Sequence, residues 1–251
     1  MSAFLETRQL GRTFGGLKAV DDVSMAIEQG ELVGLIGPNG AGKTTLFNLI
    51  SGFTAPSSGE VRLKGERIDG LTPHDIARRG IGRTFQNLRI FPNMSVFDNV
   101  TVGAIGHETI GLGSIFPWQK AKSDRITQKS FAALEAVGLL AEADDLAANI
   151  SYGKRKYLEI ARALAMQPDL LILDEPAAGL NETETRQLAD FIGRLHLEGR
   201  TIILIEHDMR LVMSICQRVI VLASGRKICD GKPDMVQQDA GVLEAYLGVD
   251  E

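Results

Sequence analysis

The chain has 251 residues, 44% of them hydrophobic, and carries a formal net charge of −5. This length suits one large domain or two small ones, and the composition does not favour disorder. The acidic balance and the lack of a Lys/Arg run argue against a nucleic-acid-binding protein, which usually presents a basic face. The two cysteines, Cys216 and Cys229, are too few for a disulfide framework and are expected to be reduced thiols.

The sequence predicts neither a signal peptide nor a membrane span. Its first residues lack a charged n-region and an apolar h-region. The longest apolar runs, such as Leu170–Leu173 and Ile202–Ile205, are far shorter than the roughly 20 residues that cross a bilayer. Any membrane role is therefore expected to come through partner proteins.

The first third of the chain predicts two kinds of strand. Leu5–Ile27 contains short alternating stretches around a Gly-Gly pair, and Gly59–Ile68 repeats this style, which indicates antiparallel strands. Between them, Leu32–Ile36 has the pattern of a buried strand, followed by a glycine-rich loop and a helix from about Lys43 to Ser51. Strand–loop–helix order is typical of an α/β fold with a largely parallel sheet.

Strand signals fade between residues 87 and 166, where helices are expected near residues 95–100, 131–137 and 151–166. We interpret this region as an inserted helical subdomain. Within it, residues 104–123 are rich in glycine and apolar side chains. Two interpretations stay open for that stretch: a loop that packs its own apolar residues, or a contact with a membrane partner.

The last third returns to strands, which are predicted at Leu170–Asp174, Thr201–Ile205 and Val219–Leu222. Between the first two, Asn181 and Glu184 have the spacing of a capping box at a helix N-terminus. The apolar residues that follow recur at i, i+3, i+4 and i+7 and predict one buried helix face; they are Leu188, Phe191, Ile192 and Leu195.

The most specific motif lies between a predicted strand and a predicted helix and fits G-x-x-x-x-G-K-[ST], the phosphate-binding P-loop. Its residues are Gly37, Pro38, Asn39, Gly40, Ala41, Gly42, Lys43 and Thr44, and Thr45 completes the expected nucleotide-binding set. Glycines let backbone N–H groups approach phosphate oxygens closely, and the helix adds the positive end of its dipole. Lys43 is expected to reach the β- and γ-phosphates, and Thr44 to place its hydroxyl on Mg²⁺.

A second element is the apolar strand Leu170–Leu173, which ends in Asp174 and Glu175. Asp174 is expected at the carboxyl edge of the sheet, where α/β proteins bind ligands, and its oxygens suit Mg²⁺. Glu175 is able to orient or deprotonate an attacking water. Alone, such an acidic pair is often only a turn; with a P-loop it indicates phosphoryl transfer.

Two polar residues follow predicted strands: Gln86 after Ile81–Phe85, and His207 after Thr201–Ile205. Each is by itself uninformative, since such residues are usually structural or solvent-exposed. Reasoning from the residues alone therefore ends at a P-loop nucleoside triphosphatase with two candidate helper residues.

The sequence resembles the ATP-binding-cassette (ABC) family over nearly its whole length. The motifs that carry the resemblance, in order, are Walker A at Gly37–Thr44, the Q-loop at Gln86, the signature at Ser151–Lys154, Walker B at Leu170–Glu175, the D-loop at Ala177–Asn181 and the switch histidine at His207. Phe14 matches the aromatic position that stacks on adenine; the alternative is a core aromatic.

The resemblance implies an α/β fold, a P-loop NTPase core with a mostly parallel sheet, an antiparallel β subdomain and an inserted α-helical subdomain. It implies a single ABC ATPase domain over residues 1–251. Within it, residues 1–86 and 167–251 would form the RecA-like core with the antiparallel β subdomain, and residues 87–166 the helical signature subdomain.

The resemblance also implies a mechanism in which two cassettes close around two ATP molecules. Ser151 and Gly153 would contact the γ-phosphate of ATP bound to the opposite subunit. Glu175 would activate water, while His207 and Lys43 stabilise the transferring phosphoryl group. Gln86 joins this catalytic set, and Gln86, Thr44 and Asp174 form the expected Mg²⁺ ligands.

Two motifs depart from the family pattern. The common signature Leu-Ser-Gly-Gly-Gln is here Ile150 to Lys154, with Tyr152 and Lys154 replacing Gly and Gln. The D-loop usually ends in Leu-Asp, and here Asn181 takes the Asp position, which removes a negative charge.

Within the family, the sequence is similar to the ATPase subunits of bacterial branched-chain amino-acid importers. The stretches that carry this likeness are Ile81–Val96, Ser151–Leu164, residues 104–123 and Glu244–Gly248. The implied partners are a second ABC ATPase subunit, identical or different, transmembrane permease subunits and, indirectly, a periplasmic solute-binding protein, with no nucleic acid. The implied location is peripheral, at the cytoplasmic face of the inner membrane.

Other functions stay open at this stage. Related importers of amides or urea use similar ATPases. A soluble ABC ATPase outside transport usually has two cassettes or a long coiled coil, and an exporter cassette is normally fused to membrane spans. Leu88–Pro92 is the expected docking surface for a short helix of a membrane subunit, with ordinary packing as the alternative.

Overall fold

The computed structural model describes residues 3–86, 88–106 and 117–247. They form two compact units: one comprises the described residues of 1–76 and 181–251, and the other those of 77–180. The strands are β1 (Leu5–Phe14), β2 (Leu17–Ile27), β3 (Leu32–Ile36), β4 (Ser58–Leu63), β5 (Glu66–Arg67), β6 (Ile81–Arg83), β7 (Leu170–Asp174), β8 (Thr201–Ile205), β9 (Arg218–Ala223) and β10 (Arg226–Gly231).

Helices and strands alternate between residues 152 and 223, as the sequence pattern predicts for an α/β chain. The helices are α1 (Lys43–Ile50), α2 (Pro73–Arg78), α3 (Val96–Ile105), α4 (Pro117–Ala136), α5 (Tyr152–Ala165), α6 (Glu182–Leu197), α7 (Met209–Ile215), α8 (Pro233–Gln238) and α9 (Ala240–Leu247), with a 3₁₀ turn at Leu140–Glu142.

The first unit contains the predicted antiparallel sheet, with strand order β2-β1-β4-β5. The long strands β1 and β2 pair antiparallel, and β1 also pairs antiparallel with β4, so that Leu5 lies opposite both Ile27 and Leu63. All three side chains are buried, which places them in the core beneath this sheet. The prediction of antiparallel strands from the alternating pattern is confirmed.

Parallel pairing brings the apolar strands together. In the first unit, β3 lies between β8 and β9 and is parallel to both, while β10 returns antiparallel to β9. In the second unit, β6 and β7 pair in parallel, with Ile81 opposite Leu170. Every residue of β3, β7 and β8 is buried, as expected of parallel strands covered on both faces. The predicted fold class is confirmed.

The strand expected over Ile81–Phe85 is shorter than predicted, because β6 ends at Arg83. The reason is that the Phe85 N–H donates to the Glu159 carboxylate of α5 at 3.1 Å instead of continuing a strand ladder. The polypeptide is thereby turned away from the sheet just before Gln86.

Helix α6 is organised as predicted. Asn181 accepts a hydrogen bond from the Glu184 N–H at 3.0 Å, and the Glu184 carboxylate accepts from the Asn181 N–H at 2.9 Å, which completes the capping box. The four residues of the predicted apolar face are the buried ones of this helix. Local sequence signals therefore set both the start and the orientation of α6.

Some features were not predicted or lie outside the described residues. The sequence interpretation did not place β10, α2, α7, α8 or α9. The glycine-rich stretch at 104–123 falls largely on residues 107–116, which are not described, so both of its interpretations remain predictions. The boundaries proposed for the helical subdomain, residues 87–166, also stay a prediction.

None of the helices within residues 3–86, 88–106 and 117–247 combines the length and the apolar character of a membrane span.

Candidate nucleotide-binding and hydrolysis site

The P-loop connects β3 to α1 in the first unit, and glycine is required at its two ends. Gly37 has φ +152°, and a Cβ there would lie 2.1 Å from the Leu222 carbonyl oxygen. Gly42 has φ +98°, and a Cβ there would lie 2.3 Å from the Ala19 carbonyl oxygen. Side chains at either position would clash with backbone, so the loop is able to follow this path only with glycine.

Lys43 begins α1 and is buried, with 8% of its surface exposed. Its Nζ donates to the carbonyl oxygens of Gly37, at 2.5 Å, and of Pro38, at 3.0 Å. The Lys43 side chain thus folds back over the P-loop. A cation held against the backbone of a glycine-rich loop suits a polyanion such as a triphosphate.

The N-terminus of α1 carries no side-chain cap, because Gly42 occupies the N-cap position. The N–H groups of the first turn are therefore not capped by a side chain, as an anion site at a helix N-terminus requires. Thr44 is exposed in this turn and Thr45 is half-buried. The remaining loop residues Asn39 and Gly40 are exposed.

Phe14 ends β1 in the same unit, and 46% of its surface is exposed. The ring is therefore not a core aromatic. The Arg12 guanidinium lies 4.6 Å from the ring centroid, a cation–π contact that holds one face. An exposed ring of this kind is suited to stacking on a flat heterocycle, as the resemblance implies for adenine.

His207 follows β8, also in the first unit, and its side chain is 62% exposed. Its Nδ1 lies 3.9 Å from the carboxylate of Glu206, which is fully buried. Asp208, the next residue, caps α7 by accepting hydrogen bonds from the N–H groups of Arg210 and Leu211. The imidazole is thus presented on a short, ordered segment between a strand and a helix.

The C-terminal helix α9 contributes to the surroundings of the P-loop. A cavity of about 380 Å³ is lined by Asn39 and Gly40 of the loop and by Ser224 and Glu244. The Tyr246 phenol of α9 is partly buried, and burial raises its pKa. Reasoning from the residues alone did not predict that α9 lines a cavity with the P-loop. Only the family resemblance pointed to Glu244–Gly248.

Asp174 ends β7 in the second unit and is buried. Its Oδ2 accepts a hydrogen bond from Arg83 Nη2 at 2.9 Å, and both side chains are 6% exposed. Its backbone N–H donates to the hydroxyl of Thr84 at 3.1 Å. Arg83 and Thr84 come from the end of β6, so the two neighbouring strands fix the carboxylate from both its side chain and its backbone.

Arg83→Met is expected to destabilise the protein by about 3–5 kcal/mol, because it leaves the Asp174 carboxylate buried without its partner. Urea unfolding followed by circular dichroism measures the loss. Arg67→Met is the matched control, since Arg67 pairs with Asp69 at 2.8 Å but is 59% exposed and should cost far less. Equal unfolding midpoints for the two variants would contradict this reading of the buried pair.

Glu175 follows directly and has φ +48°, a left-handed conformation that residues with a side chain rarely adopt. Its Oε2 accepts a hydrogen bond from Gln86 Nε2 at 2.9 Å. The structure therefore brings together two of the predicted site residues that lie far apart in sequence. Backbone strain of this kind clusters at functional sites.

The signature segment forms the start of α5. Ser151 is the N-cap, and its hydroxyl accepts a hydrogen bond from the Lys154 N–H at 3.3 Å. Gly153 is buried in the first turn, whereas Ser151 is exposed. The hydroxyl keeps its own proton to donate, which agrees with an anion-binding helix N-terminus.

The departure at Tyr152 has a structural partner. Its phenol donates to the carbonyl oxygen of Ala178 at 3.2 Å, and a Cβ built on Gly179 would lie 2.9 Å from its ring. Gly179 has φ +82° and leaves room for this ring. The tyrosine therefore attaches the signature helix to the D-loop. The second departure, Asn181, caps α6.

The predicted residues fall into two groups. In the first unit, the fold joins the P-loop residues into one loop and places Phe14 and His207 on exposed segments. In the second, it joins Asp174 to Arg83 and Glu175 to Gln86, and it sets Ser151 and Gly153 at the start of α5. Sequence reasoning missed Arg83, Thr84 and the buried α5 residues Lys156 and Glu159, since no local pattern marks them.

The side chains proposed for Mg²⁺ have the appropriate chemistry. The Thr44 hydroxyl, the Asp174 carboxylate and the Gln86 amide all offer the hard oxygen donors that Mg²⁺ prefers. Arg83 contacts Oδ2 of Asp174, and a carboxylate has further lone pairs to offer a cation or its water. The chemistry of each of these side chains therefore suits a magnesium ion.

Comparison with known proteins establishes the class. Residues 20–178, more than half of the chain, match the protein family described as ABC transporter. The chain belongs to this family, which confirms the resemblance drawn from its motifs. Residues 226–251 match a further family, described as Branched-chain amino acid ATP-binding cassette transporter.

Characterised relatives cover nearly the whole chain. The chain is 44% identical over 248 residues to the high-affinity branched-chain amino acid transport ATP-binding protein BraF of Pseudomonas aeruginosa, covering 97% of each protein. It is 42% identical over 250 residues to the corresponding protein LivG of Escherichia coli strain K12, again covering 97% of each.

Solved structures agree. A nucleotide-free ATP-binding cassette from an ABC transporter is 31% identical with a TM-score of 0.85, covering 97% of this chain and 98% of that one. An ATP-binding cassette of an ABC transporter in its ADP conformation is 30% identical with a TM-score of 0.86, covering 99% and 100%.

Proposed function

We propose that this chain is the ATP-hydrolysing subunit that energises a membrane importer of branched-chain amino acids. The observation that carries the proposal is the glycine-lined loop around Lys43, in a chain whose full length matches subunits named for that transport. The C-terminal match to the branched-chain amino-acid cassette family supports the solute class.

Nucleotide binding uses the first unit. The P-loop N–H groups and Lys43 hold the phosphates of ATP, because they combine a buried cation with an uncapped helix N-terminus. The exposed ring of Phe14 stacks on adenine. A magnesium ion would neutralise phosphate charge, and Thr44, Asp174 and Gln86 are the side chains whose oxygen atoms would hold it.

Hydrolysis converts ATP and water to ADP and phosphate. Glu175 accepts a proton from the attacking water as the water oxygen bonds to the γ-phosphorus and the bond to the ADP oxygen breaks. Gln86 orients the Glu175 carboxylate through their hydrogen bond. Lys43 and His207 donate to phosphoryl oxygens as negative charge redistributes.

The same function requires a second cassette. Ser151 and Gly153 present a helix N-terminus that contacts the γ-phosphate bound to the opposite subunit. Closure around two ATP molecules and reopening after hydrolysis then shift the conformation of the permease subunits, which receive solute from a periplasmic binding protein. The chain itself acts as a peripheral protein at the cytoplasmic face of the inner membrane.

A groove in the second unit is the proposed docking site for a permease subunit. It has a volume of about 550 Å³, and its lining includes Phe85, Ile90 and Phe91. Val102 of α3 and Met166 after α5 also line it. Phe91 is 42% exposed, and Arg162 lies 4.9 Å from its ring centroid. This mainly apolar groove, adjacent to Gln86 in the chain, suits a short helix with apolar anchors.

Charged residues at this groove should separate hydrolysis from transport. The double variant Ile90→Asp/Phe91→Asp is expected to lower solute uptake by about tenfold or more, since an unpaired carboxylate is costly in an apolar interface. Hydrolysis by the assembled complex should continue. Uptake into proteoliposomes and phosphate release are measured on the same preparation.

Leu140→Asp is the matched control, because Leu140 is a 43% exposed apolar residue of the same unit that does not line the groove. Unchanged uptake in the double variant, or an equal loss in the control, would refute this docking surface.

The proposed function is tested by assembling the full chain with its membrane subunits in proteoliposomes, with the solute-binding protein added outside. ATP inside the vesicles, with magnesium, should drive uptake of labelled leucine, and urea or a short amide should not compete. Urea or amide competition would instead identify an amide importer. Failure to bind or cleave ATP would remove the proposal altogether.

A further inference from the structure

Lys156 is a charged residue in the interior of the second unit. It lies on α5, five residues after Ser151, and only 3% of its surface is exposed. A buried ammonium group is costly unless its protons meet acceptors. Its Nζ donates to the backbone carbonyl oxygen of Glu175 at 3.3 Å.

Two further neighbours surround this amine. The ring of Tyr152 lies one turn before it, with Nζ 5.9 Å from the ring centroid. The Glu159 carboxylate lies one turn after it, and the Lys156 charge is one of the interactions that oppose the burial-driven rise in the pKa of Glu159. The carbonyl of Glu175 is therefore the acceptor at the centre of a polar cluster built on α5.

The Glu175 backbone needs external support. Its φ of +48° is left-handed, which is unfavourable for a residue with a side chain and persists only when the surroundings hold it. The side chain is held by Gln86. The Glu175 carbonyl oxygen accepts from the Ala178 N–H at 3.2 Å and from Lys156, so Lys156 is a side-chain contact that holds the backbone. The orientation of the carboxylate depends on these contacts together.

Two further hydrogen bonds are made from the same face of α5. Tyr152, Lys156 and Glu159 are spaced i, i+4 and i+7 and so project from one side of α5. Tyr152 donates to Ala178, just after Glu175, and Glu159 accepts from Phe85, just before Gln86. The helix thus holds the segments on both sides of the proposed catalytic pair.

We infer that Lys156 is a positioning residue for hydrolysis: its ammonium group fixes the Glu175 carbonyl and thereby aims the Glu175 carboxylate at the attacking water. The inference rests on the proposed function and adds a residue outside every recognised motif of the chain. It places the effect of Lys156 on the chemical step, because Lys156 contacts the residue proposed to activate water.

The test compares Lys156→Met, which keeps length but removes the donor, with Lys156→Arg, which keeps a charged donor. In the assembled transporter, Lys156→Met should lower kcat for ATP hydrolysis about tenfold or more with KM for ATP changed less than about twofold. Lys156→Arg should stay within about threefold of the wild-type kcat, since it restores the hydrogen bond. Should Lys156→Met not fold, Lys156→Leu, which also lacks a donor, replaces it, with the same expected split between kcat and KM.

A double mutant shows whether Lys156 acts through Glu175. In single-turnover assays, adding Lys156→Met to Glu175→Gln should lower the residual rate by less than about twofold, because the carboxylate that Lys156 positions is already absent. Arg155→Met is the matched control: Arg155 donates to the Ile150 carbonyl oxygen at 3.0 Å and has no described contact with Glu175. It should lower the melting temperature without the selective loss of kcat.

The outcomes separate this inference from the proposed function. If the wild-type transporter cleaves no ATP, the proposed function fails. Suppose that the wild-type transporter cleaves ATP and Glu175→Gln does not. A wild-type kcat in Lys156→Met would then overturn the inference about Lys156 and leave the proposed function standing. An equal loss in the Glu175→Gln background, or a loss that Lys156→Arg does not rescue, overturns it as well.

Discussion

Glu175→Gln is expected to lower kcat for ATP hydrolysis by about 10²–10⁴-fold, the range that a positioned general base contributes. Glutamine has nearly the same shape, and its amide oxygen is able to keep the hydrogen bond from Gln86 that the structure shows at 2.9 Å. The change therefore removes proton acceptance and little else. Phosphate release measures the rate.

Retention of ATP should accompany this loss. The P-loop and Lys43 belong to the first unit, and the substitution is in the second, so the phosphate-binding groups stay intact. ATP that is bound but not cleaved should hold two cassettes together, which size-exclusion chromatography with light scattering detects as a dimer that requires ATP.

Glu182→Gln is the control for Glu175→Gln, because Glu182 is an exposed carboxylate in the first turn of α6. It should hydrolyse ATP at the wild-type rate. A near-normal rate in Glu175→Gln would remove the general-base role from that residue, and loss of ATP binding would show that the substitution disturbs the fold.

Lys43→Ala is expected to weaken ATP binding itself, by about 10–100-fold in Kd, the equivalent of one hydrogen bond to a charged group. The lysine is buried over the P-loop and donates to the carbonyl oxygens of Gly37 and Pro38, so its removal takes away the cation around which the loop is folded. Titration with a fluorescent ATP analogue measures the Kd directly.

The control for Lys43→Ala is Arg186→Ala, which removes a cation from the exposed surface of α6. It should leave the Kd within about twofold, as expected for an exposed charge that is outside the proposed binding set. A Kd for Lys43→Ala that equals the wild-type value would contradict the proposed phosphate contact.

Glu175→Gln and Lys43→Ala affect different steps, so together they distinguish loss of ATP cleavage from loss of ATP binding. Glu175→Gln should separate binding from cleavage, whereas Lys43→Ala should weaken ATP binding and lower cleavage together. The structure accounts for the difference because the P-loop is a backbone cradle built by β3 and α1, and Glu175 is a side chain placed by α5 and the end of β7.

Several elements follow from the sequence alone because their signals are local. The capping box at Asn181 and the apolar face of α6 are spacings of three and four residues along one helix. The P-loop is similar, since its glycines and Lys43 lie within eight residues and the backbone path requires them. Continuous apolar runs predicted the buried strands β3, β7 and β8.

Other features depend on contacts between distant residues. Arg83 and Asp174 are 91 residues apart in sequence and form a buried ion pair only because β6 and β7 are neighbours. The early end of β6 has the same origin, since Glu159 of α5 takes the Phe85 N–H. Phe14 is another case. The sequence left two interpretations open, an aromatic that stacks on adenine or a core aromatic, and the exposure of Phe14 at the end of β1 excludes the core position.

The sequence by itself determined the protein's class, its phosphate-binding loop and the identity of most groups proposed for the chemistry. These features are recognised from short motifs, whose residues are close together in sequence. The tertiary structure alone decided how the groups are held: Asp174 by Arg83, the Glu175 side chain by Gln86 and its backbone by Lys156. The physical reason is that a buried charge or a strained backbone requires partners, and packing brings those partners from remote parts of the chain.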